Sequence, residues 1–341
     1  MGCLCRLRTR KTMAELTTAL IGIYTLTPLH MGTGQATAAV DLPVARESHT
    51  GLPVIPATGI KGRARDGFEE ALGKKNTVVR DLFGPDLEAA GGADGQAGRA
   101  GGLVFSEAQL VALPLRSLNL PLAWCTSRMV LERLARNLEA FGCRKLLAIH
   151  DMVQVLDPEK LYVSRKIAAE IFTVEDMAFT SGEVDAGRGD VIQLAKQLAT
   201  LLPGAAEQDG TVHRFVESLV IVPDLEFQRL VERGLPVQAR IKLKDDKTND
   251  NLWYEESVAP DTLFASFVLN RPGSGRDMVA EFVEQVRSRR EPDLGVVQLG
   301  GNETVGNGWC WWNLRVAHVA IVSDNLELNN SGAADRRQGS A

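Results

Sequence analysis

The sequence predicts an α+β fold in which helices lie on one face of an antiparallel sheet. Segments of strand-like composition alternate with amphipathic helical segments along the chain, a pattern typical of this class. Residues 237–254 (VQARIKLKDDKTNDNLWY) show the strand, polar turn and second strand of a β-hairpin. The chain has 341 residues, 45% of them hydrophobic, which is enough for one large domain with insertions or for two smaller domains.

The first element is predicted to be a buried strand over residues 16–27, where apolar and β-branched residues continue up to Pro28. A helix is predicted over residues 58–73. Thr58 is suited to cap the start of this helix, and Gly73 is suited to end it. The apolar stripe of the helix consists of Ile60, Ala64, Phe68 and Leu72.

The later elements follow from the same patterns. Residues 127–142 have the clearest amphipathic periodicity in the chain and predict a helix. Strands are predicted over 103–113, 218–222, 262–270 and 295–299. Further helices are predicted after Pro223-Asp224 and over 276–289, mixed short strands over 160–183, and either helix or strand over 190–201 and 211–219.

Three segments are expected to lie outside the packed fold. Residues 1–15 begin with a basic stretch and predict a disordered arm or a misassigned start. Residues 84–102, rich in Gly and Ala, predict a flexible insertion. Residues 324–341 are polar and predict a disordered tail, so the domain is expected to span residues 16–323.

The bulk charge limits the kind of partner. The formal net charge is −5, so any nucleic-acid site must be a local basic stripe on an acidic body. The five cysteines are scattered, with no CxxC pair and no zinc spacing, which favours a reduced, cytoplasmic protein. No apolar run is long enough to cross a membrane, so no membrane partner is expected.

The loop over residues 28–57 is the most informative segment. It is long and punctuated by Gly and Pro, yet its apolar anchors predict an ordered, functional loop. His30 and Asp41 lie eleven positions apart in it. A His or a carboxylate can exchange a proton at a phosphodiester, and a carboxylate can hold a divalent metal ion on the phosphate. On spacing alone the commoner arrangement is local: Asp41 caps a turn and His30 bonds to backbone.

Two groups of residues are candidates for phosphate contacts. Residues 61–80 contain six basic and three acidic side chains, beginning with Lys61, Arg63 and Arg65 at the start of the predicted helix. A solvated helix face is an equally good interpretation. A Gly-rich loop, LGGNETVGNG, contains Gly300, Gly301, Gly306 and Gly308. Its backbone N–H groups could face an anion, and a plain hairpin turn is the alternative.

The hairpin presents a third group. Its alternation places Arg240, Lys242 and Lys244 on one face and apolar residues on the other. This polar face predicts a solubilising edge, and the alternative is a protruding hairpin that wedges between bases. Tyr254, Glu255 and Glu256 follow at its far end as candidate proton-transfer or orienting groups.

Three motifs in this order resemble a known family. They are PLHMGTGQATAAVDLPVARESHTGLPVIPATGIKGRARD, NLWYEESVAPDTLF and LGGNETVGNGW. Together they are similar to the repeat-associated (RAMP) proteins of CRISPR systems, in particular the backbone subunits of Cmr-module, type III-B effector complexes. The similarity extends over most of residues 16–320.

The resemblance implies an RRM-like (ferredoxin-like) palm with a protruding thumb hairpin at about residues 237–252. Copies of such a subunit stack into a filament along the CRISPR RNA, together with other subunits of an antiviral complex. The thumbs splay base pairs of the guide–target duplex, and the single-stranded target RNA is cleaved at regular intervals. Two other functions stay open. One is a non-catalytic RNA scaffold in the same complex, and the other is an unrelated metabolic enzyme that binds a small phosphate ligand.

The resemblance also implies roles for individual residues. Asp41 falls at the acidic position that supports cleavage with a divalent metal ion, Mg²⁺ or Mn²⁺, and is the tentative metal ligand. Supporting catalytic roles fall to His30, Tyr254, Glu255 and Glu256. The RNA-binding set is Lys61, Arg63, Arg65, Arg46, Gly300, Gly301, Gly306, Gly308, Arg240 and Lys242.

Overall fold

The computed structural model describes residues 10–34, 40–85, 100–203, 210–288 and 295–325. Its strands are β1 (Arg10–Thr25), β2 (Val54–Ile55), β3 (Leu103–Phe105), β4 (Ala108–Leu115), β5 (Ala123–Ser127), β6 (Leu161–Val163), β7 (Ile171–Val174), β8 (Met177–Thr180), β9 (Val184–Ala186), β10 (Leu219–Val222), β11 (Val237–Leu243), β12 (Asn249–Glu256), β13 (Leu263–Asn270), β14 (Gly295–Gln298) and β15 (Trp309–Asn325). Its helices are α1 (Ala57–Leu72), α2 (Thr77–Phe83), α3 (Arg128–Ala140), α4 (His150–Gln154), α5 (Gly189–Ala199), α6 (Gly210–Ser218), α7 (Asp224–Gly234) and α8 (Met278–Ser288).

One large sheet organises the described part of the chain. Its strands follow the order β14-β15-β1-β13-β4-β5-β10-β6-β9, with β2 paired to β4 and β3 paired to β13. Most pairs are antiparallel, and β10 with β5 and β9 with β6 are parallel. The longest contact joins β1 to β15 from Arg10↔Asn325 to Thr25↔Cys310. A mostly antiparallel sheet covered by helices confirms the predicted α+β class.

Helices cover both faces of this sheet, so the expectation that they lie on one face is wrong. Neighbouring residues of β1 belong to different cores. Ile21 packs in the core that contains residues of α1, α2, α7 and α8, whereas Leu20 packs in the core that contains residues of α3, α4, α5 and α6. A strand buried on both faces has an unbroken apolar sequence instead of an alternating one.

Several predicted boundaries shift. β1 begins at Arg10, so residues 10–15 belong to a strand rather than to a disordered arm. The predicted strand over 103–113 is two strands, β3 and β4. Residues 190–201 and 211–219 are mainly helical, in α5 and α6. α1 starts at Ala57 after Pro56 with no side-chain cap, so Thr58 lies inside its first turn; Gly73 ends the helix as predicted.

The two predicted disordered ends and the predicted flexible insertion lie largely outside the described residues. The parts of them that the structure does not describe are residues 1–9, 86–99 and 326–341. β15 extends to Asn325, two residues into the segment predicted as tail. Within the described ranges, no helix combines the length and apolar character needed to cross a membrane.

The hairpin of β11 and β12 forms a two-stranded sheet of its own. Most side chains of β11 are exposed on both of its faces. Ile241 pairs with Leu252 and Ala239 pairs with Tyr254, so apolar side chains share one face. Ile241, Leu252 and Tyr254 are exposed, which fits a hairpin that extends away from the main sheet.

Candidate functional site

Three segments that are remote in sequence meet at one end of the sheet. They are the loop after β1, the C-terminal end of β12 and the Gly-rich loop between β14 and β15. Backbone bridges join Leu29 to Val258 and Leu42 to Glu255. The Gly301 N–H donates to the His30 carbonyl at 3.1 Å. The structure therefore brings together the three motifs that carry the family resemblance.

Asp41 is held by the hairpin rather than by a local turn. Its Oδ2 accepts a hydrogen bond from the Tyr254 backbone N–H at 2.8 Å, across 213 positions of sequence. The next residue, Leu42, donates its N–H to the Tyr254 carbonyl at 3.1 Å and accepts from the Glu256 N–H at 3.0 Å. Oδ1 makes no hydrogen bond to the described residues and is free to contact a ligand.

His30 is buried, with 8% of its surface exposed. Its Nδ1 lies 2.7 Å from the Glu256 carbonyl oxygen. Because a carbonyl only accepts, Nδ1 carries the proton, and in the neutral ring Nε2 is the acceptor. The backbone contact considered for His30 from sequence is thus present, and it orients the ring.

The two glutamates at the end of β12 are buried and bonded to other side chains. Glu256 accepts from the Val44 N–H at 3.0 Å and from Arg46 Nη2 at 2.6 Å. Glu255 accepts from Asn302 Nδ2 at 2.5 Å. Tyr254 is 44% exposed. The contacts of Glu255 and Glu256 within the protein are suited to orienting the residues that they bind. The catalytic roles of both glutamates stay predictions.

A buried ion pair anchors the loop to α3. Arg133 donates through Nη1 and Nη2 to the two carboxylate oxygens of Glu47, each at 2.7 Å, and Thr50 Oγ1 donates to the same carboxylate at 2.6 Å. Burial alone would raise the pKa of Glu47, but the hydrogen bonds from Arg133 and Thr50 and the charge of Arg133 more than offset it, and that pKa is lowered.

Replacing Glu47 with Gln is expected to make the stability of the protein less dependent on acid pH. Because the folded-state pKa of Glu47 is lowered, its contribution is present above the ordinary glutamate pKa of 4.5 and is lost as pH falls through the folded value. The loss of melting temperature in E47Q should therefore be largest at pH 7 and shrink below pH 4.5. Thermal melts from pH 7 to pH 3 measure it.

Glu139→Gln is the matched control, since the Glu139–Arg144 pair is more than half exposed and such pairs contribute little. Its effect should be small at every pH. A loss of melting temperature in E47Q that is constant from pH 7 to pH 3 would contradict the assignment.

The basic residues of α1 differ in whether their charges are already paired within the protein. Arg65 donates to Glu69 at 2.6 Å and to the Pro85 carbonyl at 3.3 Å. Arg63 faces Glu70 at 3.6 Å. Lys61 makes no ion pair with the described residues, and its pKa is lowered by partial burial and by the charge of Arg65. Lys61 is thus the cation of this group most available to a phosphate.

The other predicted RNA-binding residues fall into three groups: Arg46, two cations of the hairpin, and the glycines of the Gly-rich loop. Arg46 donates to Glu256 and to the Gly51 carbonyl, so its guanidinium is engaged within the protein. Arg240 approaches Glu255 at 3.6 Å and Lys242 pairs with Asp250 at 3.0 Å, both on the hairpin. Gly300, Gly306 and Gly308 have positive φ of 75°, 83° and 81°.

Sequence reasoning missed two residues of the site, Asn302 and Arg133. Asn302 has a φ of 63°, and Asn adopts this region more readily than most residues. An Asn among glycines was therefore a usable signal. Arg133 lies within a predicted amphipathic helix and carries no signal of its contact with Glu47.

Among the described residues, Asp41 offers one carboxylate oxygen to a metal ion. No group of three or more His, Cys, Asp or Glu side chains suited to metal binding occurs among the described residues. Asp41 Oδ1 is one free carboxylate oxygen. Mg²⁺ is commonly held by one or two carboxylates together with substrate phosphates and water, so a single carboxylate oxygen of Asp41 fits an ion whose other ligands come from phosphate and water.

Comparison with known proteins gives consistent matches. Residues 22–311 match the model of the RAMP superfamily. The chain is 30% identical over 295 residues to the CRISPR system Cmr endoribonuclease Cmr4 of Pyrococcus furiosus, covering 85% of this chain and 93% of the relative.

Solved structures share the fold. The crystal structure of oligomeric Cmr4 from Pyrococcus furiosus superposes with a TM-score of 0.65 and 25% identity, over 89% of this chain and 99% of that chain. A cryo-EM structure of the type III-B Cmr-beta complex bound to cognate target RNA contains a chain with a TM-score of 0.68 and 21% identity, over 87% of this chain and 96% of that chain.

Proposed function

The chain belongs to the RAMP superfamily, and from that premise we propose that it is the RNA-cleaving backbone subunit of a type III-B CRISPR effector complex. The Cmr endoribonuclease of Pyrococcus furiosus, which aligns over most of both chains, supports the activity. The observation that carries the proposal for the site is the meeting of the three motifs around Asp41, whose Oδ1 is left free by the described residues.

The chemistry that fits this site is attack by a ribose 2′-oxygen on the adjacent phosphorus. The 2′-hydroxyl loses its proton as its oxygen bonds to phosphorus, and the 5′-oxygen of the next nucleotide leaves and takes up a proton. Asp41 Oδ1 and His30 Nε2 are the acceptors that the internal contacts leave free. Holding the strand so that attack is in line is catalysis by positioning.

A divalent metal ion, Mg²⁺ or Mn²⁺, is part of the proposal. When bound, it would stabilise charge on the phosphate oxygens. Asp41 Oδ1 would hold it, with phosphate and water as the other ligands, and His30 Nε2 would then be the proton acceptor. Glu255 and Glu256 are not proposed as ligands, because both are buried and hydrogen-bonded to side chains of the protein.

The proposed partners are the CRISPR RNA, the target RNA, other subunits of the complex and further copies of this chain. Base pairing reads the sequence in guided recognition, so the protein needs contacts to shape and phosphate only. A local basic site on a chain of net charge −5 suffices for this. Repetition along a filament multiplies weak contacts on one strand.

The experiment that tests the proposal is analysis of target RNA products from the assembled complex. Cleavage at regular intervals, leaving 2′,3′-cyclic phosphate and 5′-hydroxyl ends, is expected. Products with 3′-hydroxyl ends would contradict the proposed route, and an absence of cleavage would favour the non-catalytic scaffold. Addition of EDTA, followed by Mg²⁺ or Mn²⁺, tests the metal ion.

Replacing Lys61 with Ala is expected to lower the affinity for RNA and to make that affinity less dependent on salt concentration. Removing one phosphate contact should lower the slope of log affinity against log salt by about 0.7–0.9. Filter binding or fluorescence anisotropy at several salt concentrations measures the slope. Lys145→Ala, an exposed lysine after α3, should leave the slope unchanged. An unchanged slope in K61A would remove Lys61 from the RNA site.

A further inference from the structure

Asn302 joins the Gly-rich loop to the base of the hairpin. Its side-chain Nδ2 donates to Glu255 Oε1 at 2.5 Å, across 47 positions of sequence. This contact links two of the three segments that form the site. None of the chemistry proposed above uses Asn302.

The backbone of Asn302 is fixed by its own loop. Its carbonyl accepts hydrogen bonds from the Val305 N–H and the Asn307 N–H, both at 3.2 Å. Its φ of 63° lies in the left-handed region, which Asn and Asp tolerate better than other non-Gly residues. The side chain therefore moves with the Gly-rich loop, and its amide extends from that loop to the hairpin.

The acceptor of this hydrogen bond is equally constrained. Glu255 is 5% exposed, and Arg240 Nη2 approaches the same Oε1 atom at 3.6 Å. The preceding residue, Tyr254, supplies the N–H that holds Asp41 Oδ2. A continuous chain of contacts thus runs from Asn302 through Glu255 and the Tyr254 backbone to Asp41.

We infer that Asn302 is a positioning residue for RNA cleavage, and that Glu255 serves as its anchor rather than as a proton carrier. The pair keeps the base of the hairpin in register with the Gly-rich loop. A strand lying on that loop would then stand at a fixed distance from the Asp41 carboxylate. This inference rests on the proposed function, because the distance matters only if Asp41 acts on RNA.

Asn302→Asp is the primary test. Asp keeps the size of the side chain and tolerates the left-handed backbone, but it removes the donor and sets a second carboxylate against buried Glu255. In the assembled complex at pH 7.5, the cleavage rate is expected to fall by about 10²-fold, the scale of a 1 Å misplacement. Target RNA affinity should change little, whereas the melting temperature should fall modestly, because buried Glu255 loses its donor and faces a second carboxylate.

The double variant N302D/E255Q exchanges the donor and the acceptor. A glutamine amide at position 255 can donate to the carboxylate at position 302, so the hydrogen bond reforms in the opposite direction. The cleavage rate is expected to return to within about tenfold of the wild type, because a donor and an acceptor again join the hairpin to the Gly-rich loop. A proton-carrying Glu255 would not allow this rescue.

The pH profile gives an independent readout. Two facing carboxylates share a proton as pH falls, and the shared proton restores a hydrogen bond. The rate of N302D relative to the wild type should therefore rise between pH 7.5 and pH 5.5. A role confined to folding of the loop would not produce this rise.

Three results would overturn the inference: a wild-type cleavage rate in N302D, a double variant as slow as N302D, or a loss of target RNA affinity as large as the loss of cleavage rate. The wild-type complex and an Asp41→Asn complex serve as references. If the wild type does not cleave or Asp41→Asn cleaves normally, the proposed function fails instead. The two failures are therefore distinguishable.

Discussion

Replacing Asp41 with Asn is expected to lower the cleavage rate of the assembled complex by about 10²–10⁴-fold, the range typical of losing a group that accepts a proton or stabilises charge in the transition state. The amide keeps one oxygen to accept the Tyr254 N–H, so the 2.8 Å contact with the hairpin survives. What is lost is the negative charge and the free carboxylate oxygen. Target RNA binding and melting temperature should stay at wild-type values.

The measurement compares the rate of target cleavage with target affinity in the same preparation. Asp151→Asn is the matched control, because Asp151 is 90% exposed on α4 and lies outside the contacts of the site. It should cleave at the wild-type rate. Unchanged cleavage in D41N would favour the scaffold alternative, in which assembly and RNA binding are the whole function.

Replacing Gly300 with Ala is expected to destabilise the protein by about 2–5 kcal/mol and to reduce cleavage with it. Gly300 has a φ of 75°, which costs a residue with a Cβ about 1–2 kcal/mol. A Cβ there would lie 2.2 Å from the His30 carbonyl oxygen, and overpacking of this kind adds about 1–3 kcal/mol. The Gly-rich loop must therefore move away from the loop that carries His30.

Gly306→Ala separates the cost of the positive φ from the cost of the steric clash. Gly306 has a φ of 83°, but a Cβ there would meet no atom of the described residues within 4 Å, apart from its chain neighbours. Its replacement should cost only the conformational strain of the positive φ, about 1–2 kcal/mol, so it should destabilise the protein less than Gly300→Ala. Denaturant unfolding and cleavage assays on both variants measure the difference. Equal losses in the two variants would contradict the close approach at Gly300.

The positions of most strands and helices were predictable from local pattern. The hairpin over 237–254 and the helix over 127–142 agree with β11, β12 and α3 within a few residues. Such patterns depend on the alternation of residue types within one segment, which sequence displays directly. The arrangement of helices on both faces was not predicted, because it depends on which distant segments pack on β1.

The candidate site likewise has features that could be predicted from the sequence and features that could not. The available chemistry follows from residue types alone: the carboxylate and imidazole of the loop, the glycines before β15, and the three motifs that resemble the RAMP family. The hydrogen-bond partners, such as Asp41 with the Tyr254 N–H and Asn302 with Glu255, follow from the fold. Hydrogen bonds require donor and acceptor within about 3 Å. That distance is set by the packing of strands far apart in the chain, which residue type alone does not specify.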